Sequence, residues 1–237
     1  MDDETVVPAG IDPDSRWILR TGAICAFAVV AGYLATFPLY AWVGTPPSAG
    51  IEAQLEYFGS HASGWWLIAC LMLVTDLLLL PLFLALYRAL KGAGQDLMLL
   101  AVACIGLFVA LDFAITWAAH SVLIASGTEY AAATSGATKA ALLAGAAYAS
   151  AVLDSPVAGA GAIVMPSFGI LLAGLVMLRG VFNKPTAYLG LAAGVTAIAF
   201  MGSYVVEALS PLRIVNAVLV MVWYALVGVR LYALGRR

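Results

Sequence analysis

From Trp17 to Leu234 the chain is a succession of apolar runs, each long enough to cross a bilayer and each bounded by turn residues, caps or basic residues. A hydrocarbon core takes about 20 helical residues per crossing, so the chain is read as all-α, a polytopic transmembrane helix bundle. Composition agrees: of 237 residues 64% are hydrophobic and only 10% charged, with a mean hydropathy of +1.01. An average soluble domain is about a quarter charged, so an ordinary soluble fold is excluded. With 11 Lys+Arg against 13 Asp+Glu and a net charge of -2, the chain offers no basic surface for nucleic acid.

Turn and capping signals divide the runs into six spans, about 17–43, 64–90, 96–126, 156–182, 185–209 and 211–234. Trp65 and Trp66 open the second span as interface anchors, and Arg88 and Lys91 close it. The short connection Gly92-Ala93-Gly94-Gln95 turns the third span antiparallel to the second, with Asp96 as its expected N-cap. Ser155-Pro156, Pro185 and Ser210-Pro211 place a proline at the start of each of the last three. Residues 1–16, with Asp2, Asp3, Glu4, Asp12 and Asp14, read as an acidic cytoplasmic tail. The run after them is too long for a signal-peptide core, so no secretory signal is read and the first span is retained.

Two connections carry helices of their own. Ile51, Leu55 and Phe58 recur at helical spacing, with Glu52 and Glu56 beside them, and predict a short external helix on the membrane surface. Residues 129–153 are alanine-rich and long enough to cross, so charge has to decide. With six spans and the N-terminus inside, Arg16, Arg20, Arg88, Lys91, Arg179, Lys184, Arg230, Arg236 and Arg237 are cytoplasmic and only Lys139 and Arg213 external. A seventh crossing would reduce nine against two to five against five and leave Lys139 in lipid. The segment is therefore read as an external or half-inserted helix. Pro38, Pro81 and Pro166 lie inside spans and predict kinks, while Gly190 and Gly194, at GxxxG spacing, predict close helix packing. The indoles of Trp17, Trp42, Trp65, Trp66 and Trp223 read as interface anchors. Cys25, Cys70 and Cys104 read as buried thiols, without a disulfide framework or zinc-ligand spacing.

Ionisable residues inside the spans are the candidates for function, because an acid at mid-helix costs about 2.5–3.5 kcal/mol on insertion. Asp76 lies about 18 Å below the outer start of span two and Asp112 about 24 Å above the inner start of span three, at 1.5 Å per residue, each near the middle of its span. Adjacent antiparallel helices can bring the two acids together, and two carboxylates in a low dielectric do not both ionise cheaply. The alternative is that each bonds a neighbouring backbone carbonyl or hydroxyl. His120 follows Asp112 about 80° around the helix, with Thr116 between them. Asp76, Asp112, Thr116, His120 and Glu207 are thus the candidate lining of a polar pocket that opens outward, which Asn216 could also approach. A zinc site with an open position, drawn from His120, Asp112, Glu207, His61 and Asp154, is a further reading, although no compact metal motif such as HExxH is present. Nucleotide, haem and nucleophile-elbow motifs do not occur.

Three stretches resemble one family: TDLLLLPLFLALYRALKGAG (75–94), with its acid, proline and terminal aromatic-plus-basic pair; LRGVFNKPTAYLGLAAG (178–194); and VWYALVGVRLYALGRR (222–237). They are similar to the bacterial membrane family described as domain of unknown function 4386. The resemblance covers the chain from about Arg16 and implies a six-helix bacterial integral membrane protein, with no catalytic residues to carry over. The expected protein sits in the inner membrane with both termini cytoplasmic, surrounded by membrane lipids. Its expected role is to bind a lipid or small amphipathic ligand, or to support a membrane complex as a homo-oligomer or with another partner. Two other classes stay open, an intramembrane metal-dependent hydrolase acting on a lipid-like substrate and a proton-coupled transporter of a small molecule.

Overall fold

The computed structural model describes residues 16–236, so the acidic tail (1–15) and Arg237 lie outside the described residues. Ten α-helices follow one another: α1 (Arg16–Val43), α2 (Ile51–Ser60), α3 (Ala62–Leu77), α4 (Leu79–Leu111), α5 (Ala118–Ala132), α6 (Gly136–Leu153), α7 (Pro156–Gly159), α8 (Met165–Met177), α9 (Lys184–Met201) and α10 (Leu212–Arg236). Two wider π segments interrupt them, Asp112–Trp117 and Ala160–Val164.

Helix α4 breaks at Gly94, whose backbone is extended (φ 179°, ψ 76°), and the chain doubles back there. The break takes a single residue, so Asp96 falls in the first turn of the resumed helix and does not cap it. Six helical stretches are long and apolar enough to cross a membrane. One of these, Ala62–Ala132, makes two crossings because of the bend, while Gly136–Leu153 runs beside α5 with only 11% of its length buried. The described residues form an all-α membrane bundle.

The crossings close into a ring in chain order, α1 against α3–α4, then the second half of α4, α8, α9 and α10, which returns to α1. Inside the ring sit Phe83, Trp223 and Tyr224, none more than 1% exposed. Trp223 is therefore a core residue, not an interface anchor, and Trp65, 4% exposed, is buried as well. Trp17, Trp42 and Trp66 do face outward at helix ends. The outer surface of the ring is apolar, carrying Ile24, Leu34, Leu84, Leu107, Ile198 and Val229, as a lipid-facing surface must be. Cys70 joins that surface, while Cys25 and Cys104 are buried.

Small residues allow the close crossings. A Cβ on Gly194 would come within 2.3 Å of the Leu171 Cβ, and one on Gly190 within 3.2 Å of the Ile170 carbonyl oxygen, so both GxxxG glycines face α8 as expected. Asn216, 5% exposed, bonds the Ala193 carbonyl (2.6 Å) and accepts from Ser167 (3.3 Å), which ties α10 to α9 and α8 and keeps it away from the acids.

The two ends of the ring differ. At the base, Arg20 donates to the Gly235 carbonyl (2.9 Å), Arg230 donates to the Val181 carbonyl (2.9 Å), and Gly180 packs on Leu90. At the other end α2, α5 and α6 form a cap with its own buried cluster. Helix α2 does not lie free on a membrane surface: Leu55 and Phe58, 0% and 3% exposed, are buried against α5. Its backbone meets α5 directly, since a Cβ on Gly127 would fall 2.6 Å from both the Gly59 nitrogen and the Leu55 carbonyl oxygen. Glu52 accepts from the Tyr130 hydroxyl, and Tyr57 donates to the Val43 (3.0 Å) and Gly44 (2.9 Å) carbonyls, locking the cap to the end of α1.

Three expected span ends move. The third helix runs on to Ala132, because α2 and α6 cover its extension. The fourth ends at Met177 and the fifth at Met201, the latter where Gly202, β-branched Val205 and extended Val206 (φ -125°, ψ 98°) replace helix with single turns.

Candidate functional site

The bend places the two acids symmetrically. Asp76 precedes Gly94 by 94 − 76 = 18 residues and Asp112 follows it by 112 − 94 = 18, so each stands about 27 Å up its helix from the bend. Their carboxyl groups lie within electrostatic reach of one another, as two neighbouring antiparallel helices allow, with no hydrogen bond between them. Asp76 is 1% and Asp112 6% exposed. The pair is thus well above the middle of a roughly 30 Å hydrocarbon core, directly beneath the cap.

Each acid sits where a helix is irregular. Pro81 has no N–H for the Leu77 carbonyl, and the helix is interrupted at Leu78, two residues past Asp76. Asp112 is the first residue of the π segment 112–117. The second π segment, 160–164, precedes Pro166, which leaves the Ala162 carbonyl without its helical donor. All three irregularities meet at one level of the bundle, where the two π segments pack against each other.

The π segment also rebuilds the polar stripe. One extra residue in a turn gives residue i+8 the angular place of i+7, so His120 stands about 20° from the Asp112 direction, not 80°. Its Nδ1 donates to the Thr116 carbonyl (2.8 Å), and its ring stacks on Trp65 (5.6 Å between centroids) and packs against Trp117 at a tilt (5.1 Å). His120 is within electrostatic reach of Asp112.

Asp76 is poorly satisfied. Tyr33 donates to its Oδ1 at a long 3.4 Å, and its Oδ2 has no hydrogen-bond partner. The Trp117 indole lies beside Asp76, yet its Nε1 is outside hydrogen-bond geometry and also unpartnered. Tyr224 of α10 faces Asp76 from across the ring. Tyr33, Trp117 and Tyr224 were not expected at this site, because in the sequence they are aromatic residues in apolar runs like those that face lipid.

A shallow groove lies between the π segments beside this site, and none of it is wide enough to admit a water molecule. Asp112 and Thr116 supply its polar end and Leu111, Ile115 and Val157 its apolar wall. Ala158, Gly161 and Ala162 keep the facing side low.

The remaining candidates are elsewhere. Glu207 is exposed on a 3-10 turn, not inside the fifth span. Asp154 is exposed at the end of α6, and His61 is held at the α2–α3 junction by Ser60 (2.9 Å) and the Tyr57 carbonyl (3.0 Å). Among the described residues no three His, Cys, Asp or Glu side chains gather to hold a metal ion. The zinc set of His120, Asp112, Glu207, His61 and Asp154 is therefore not assembled, because its members belong to different layers of the cap and bundle.

Fold and site define a multi-pass helical membrane protein with a buried carboxyl pair at interrupted helices. Comparison with protein-family models, with curated proteins and with solved structures finds no match. The likeness to the domain of unknown function 4386 family accordingly rests on the three quoted stretches alone.

Proposed function

We propose that the protein binds a small amphipathic molecule that enters sideways from the lipid between the third and fourth spans. The observation that carries this is the groove between the π segments, with an apolar wall at the surface and Asp112 at its inner end; it is closed in this structure, so entry requires the two segments to part. Wide helical turns are frequent at functional sites, and a pocket with apolar walls and a few polar groups is the usual form of a ligand site. Gly161 offers a clean block, since a Cβ there would meet nothing within 4 Å. Gly161→Leu is expected to fold normally and to lose whatever molecule co-purifies with the wild type in native mass spectrometry. An equal load on both proteins would refute the groove as the binding site.

Proton-coupled transport is the second reading, favoured by the interruption of three helices at one level, which resembles the discontinuous helices of carriers. Gradient-dependent uptake into vesicles that Gly161→Leu abolishes would select it over simple binding. A hydrolase lacks support, because the ligands for a metal are dispersed.

For orientation, Lys91, Arg179, Lys184, Arg230 and Arg236 share the base with Arg16, Arg20 and Arg88, while Lys139 and Arg213 are on the cap side. That bias favours a cytoplasmic base, hence cytoplasmic termini and an external cap in a bacterial inner membrane. An amine-reactive, membrane-impermeant label on intact cells should modify Lys139 and spare Lys91. The reverse pattern would invert the topology.

A further inference from the structure

We infer that the seam where α10 closes on α1, at the base of the ring, holds the headgroup of an anionic phospholipid between Arg16, Arg20 and Arg236. This surface is separate from the groove and the carboxyl pair and does not depend on either. Gly235 makes it: a Cβ there would fall 2.9 Å from the Arg20 Cγ, 3.3 Å from the Arg20 nitrogen and 3.4 Å from the Arg16 carbonyl oxygen. The last turn of α10 therefore lies directly on the first turn of α1. Arg236, next in the chain after Gly235, is brought to Arg16 and Arg20, which stand one turn apart on α1. All three side chains are exposed.

These charges gather without a counter-charge. Neither α1 nor α10 contains an Asp or Glu, and Asp96, beyond the bend of α4, is the only acid among the described residues of the base. Arg20 donates its Nε to the Gly235 carbonyl (2.9 Å), and the Arg236 guanidinium lies over the Tyr232 ring, 5.0 Å from its centroid. Both contacts are with neutral groups, so they position the two guanidinium groups and leave their charge in place. The C-terminal end of α10 supplies about half a negative charge, too little for three arginines. A positive bias at the base calls for basic residues at that end, but not for three of them to converge on one crossing.

Trp17, 67% exposed beside Arg16, and Tyr232, 43% exposed, set the depth, since such aromatic residues mark the headgroup level of a bilayer. Further into the membrane the seam is apolar: Ile24 and Val229 are exposed, and the Phe27 ring covers Gly228, whose added Cβ would come within 3.1 Å of it. A phosphate among the arginines thus lays its acyl chains against these side chains. Guanidinium groups bond phosphate oxygens in pairs. The net charge selects the lipid, because phosphatidylcholine and phosphatidylethanolamine carry a cation that three arginines repel, and phosphatidylglycerol does not.

The test is native mass spectrometry of the full-length protein released from nanodiscs of equal phosphatidylglycerol and phosphatidylcholine with matched acyl chains. A basic residue at an anionic membrane surface is worth about fivefold in affinity, so the wild type should retain phosphatidylglycerol over phosphatidylcholine by about tenfold or more. Arg16→Gln with Arg236→Gln should lower that preference to about twofold or less, and Arg16→Lys with Arg236→Lys should keep most of it. Arg179→Gln with Lys184→Gln removes two exposed charges from the same end of the molecule, at the α8–α9 turn, and should change nothing. An equal fall in both glutamine pairs would overturn the seam as a site in favour of a diffuse positive surface. A wild type without preference would overturn it as well, and a preference that emerges only in Asp12→Asn with Asp14→Asn would give the three arginines to the acidic tail.

Discussion

Gly127→Val should detach the cap. The two glycines of the α2–α5 crossing meet through backbone atoms, with a Cβ on Gly127 placed 2.6 Å from the Gly59 nitrogen and the Leu55 carbonyl oxygen, and 3.1 Å from the Phe58 carbonyl carbon. A flexible side chain could turn away from such an intrusion, whereas helical backbone cannot. Overpacking at a rigid contact costs about 1–3 kcal/mol, occasionally more. Here the cost falls on a ten-residue helix held mainly by two buried apolar side chains, Leu55 and Phe58. At about 3 kcal/mol the fraction of time α2 is undocked rises roughly a hundredfold. Hydrogen exchange of residues 51–60 should accelerate by that factor while α8, α9 and α10 keep their protection. Gly145→Ala, in α6 with open space around its Cβ, is the matched control and should change nothing. Unaltered exchange in α2 would mean that the cap is held by its polar links, Glu52 with Tyr130 and Tyr57 with the end of α1.

Cap signals at the later helix starts were read correctly, although Asp96 does not cap the helix after the bend. Ser155 caps α7, accepting from the Ala158 N–H (3.2 Å), and Asn183 does the same for α9 through Thr186 (3.1 Å), with Pro156 and Pro185 following each cap. Those starts depend on four consecutive residues, so they survive any tertiary arrangement. The helix over Ile51–Ser60 was legible from its periodicity, but its docking was not, because it depends on Gly59 meeting a glycine 68 residues away (127 − 59). The reach of Asp76 to Asp112 followed from depth and the short Gly92–Gln95 turn.

The π segment Asp112–Trp117 had no sequence signal, since Asp-Phe-Ala-Ile-Thr-Trp holds neither glycine nor proline. It is seated against a second π segment that Pro166 does explain, so packing across the bundle accounts for its place where local propensity does not. Without it His120 would be turned about 80° from Asp112, and the polar stripe would be broken. Glu207 failed for the opposite reason: extending the fifth helix by hydropathy alone ignored Gly202 and the extended Val206, which end it before the acid.

Asp76→Asn should make the protein more stable. Asp76 is almost fully buried, one carboxyl oxygen has no donor, the other has a single long hydrogen bond from Tyr33, and a second carboxyl stands opposite. A buried carboxyl group left without a partner costs stability, and between Arg20 and Arg88 the sequence has no Lys or Arg to pair with it. Asparagine keeps the shape, removes the acid and brings an N–H to the Asp112 carboxyl. A gain of about 1–2 kcal/mol in resistance to denaturation is expected, of the size of one or two hydrogen bonds gained in the buried site. Residues retained at such a cost are the mark of a site shaped for function at the expense of stability. Destabilisation would instead make Asp76 a structural acid, anchored by Tyr33.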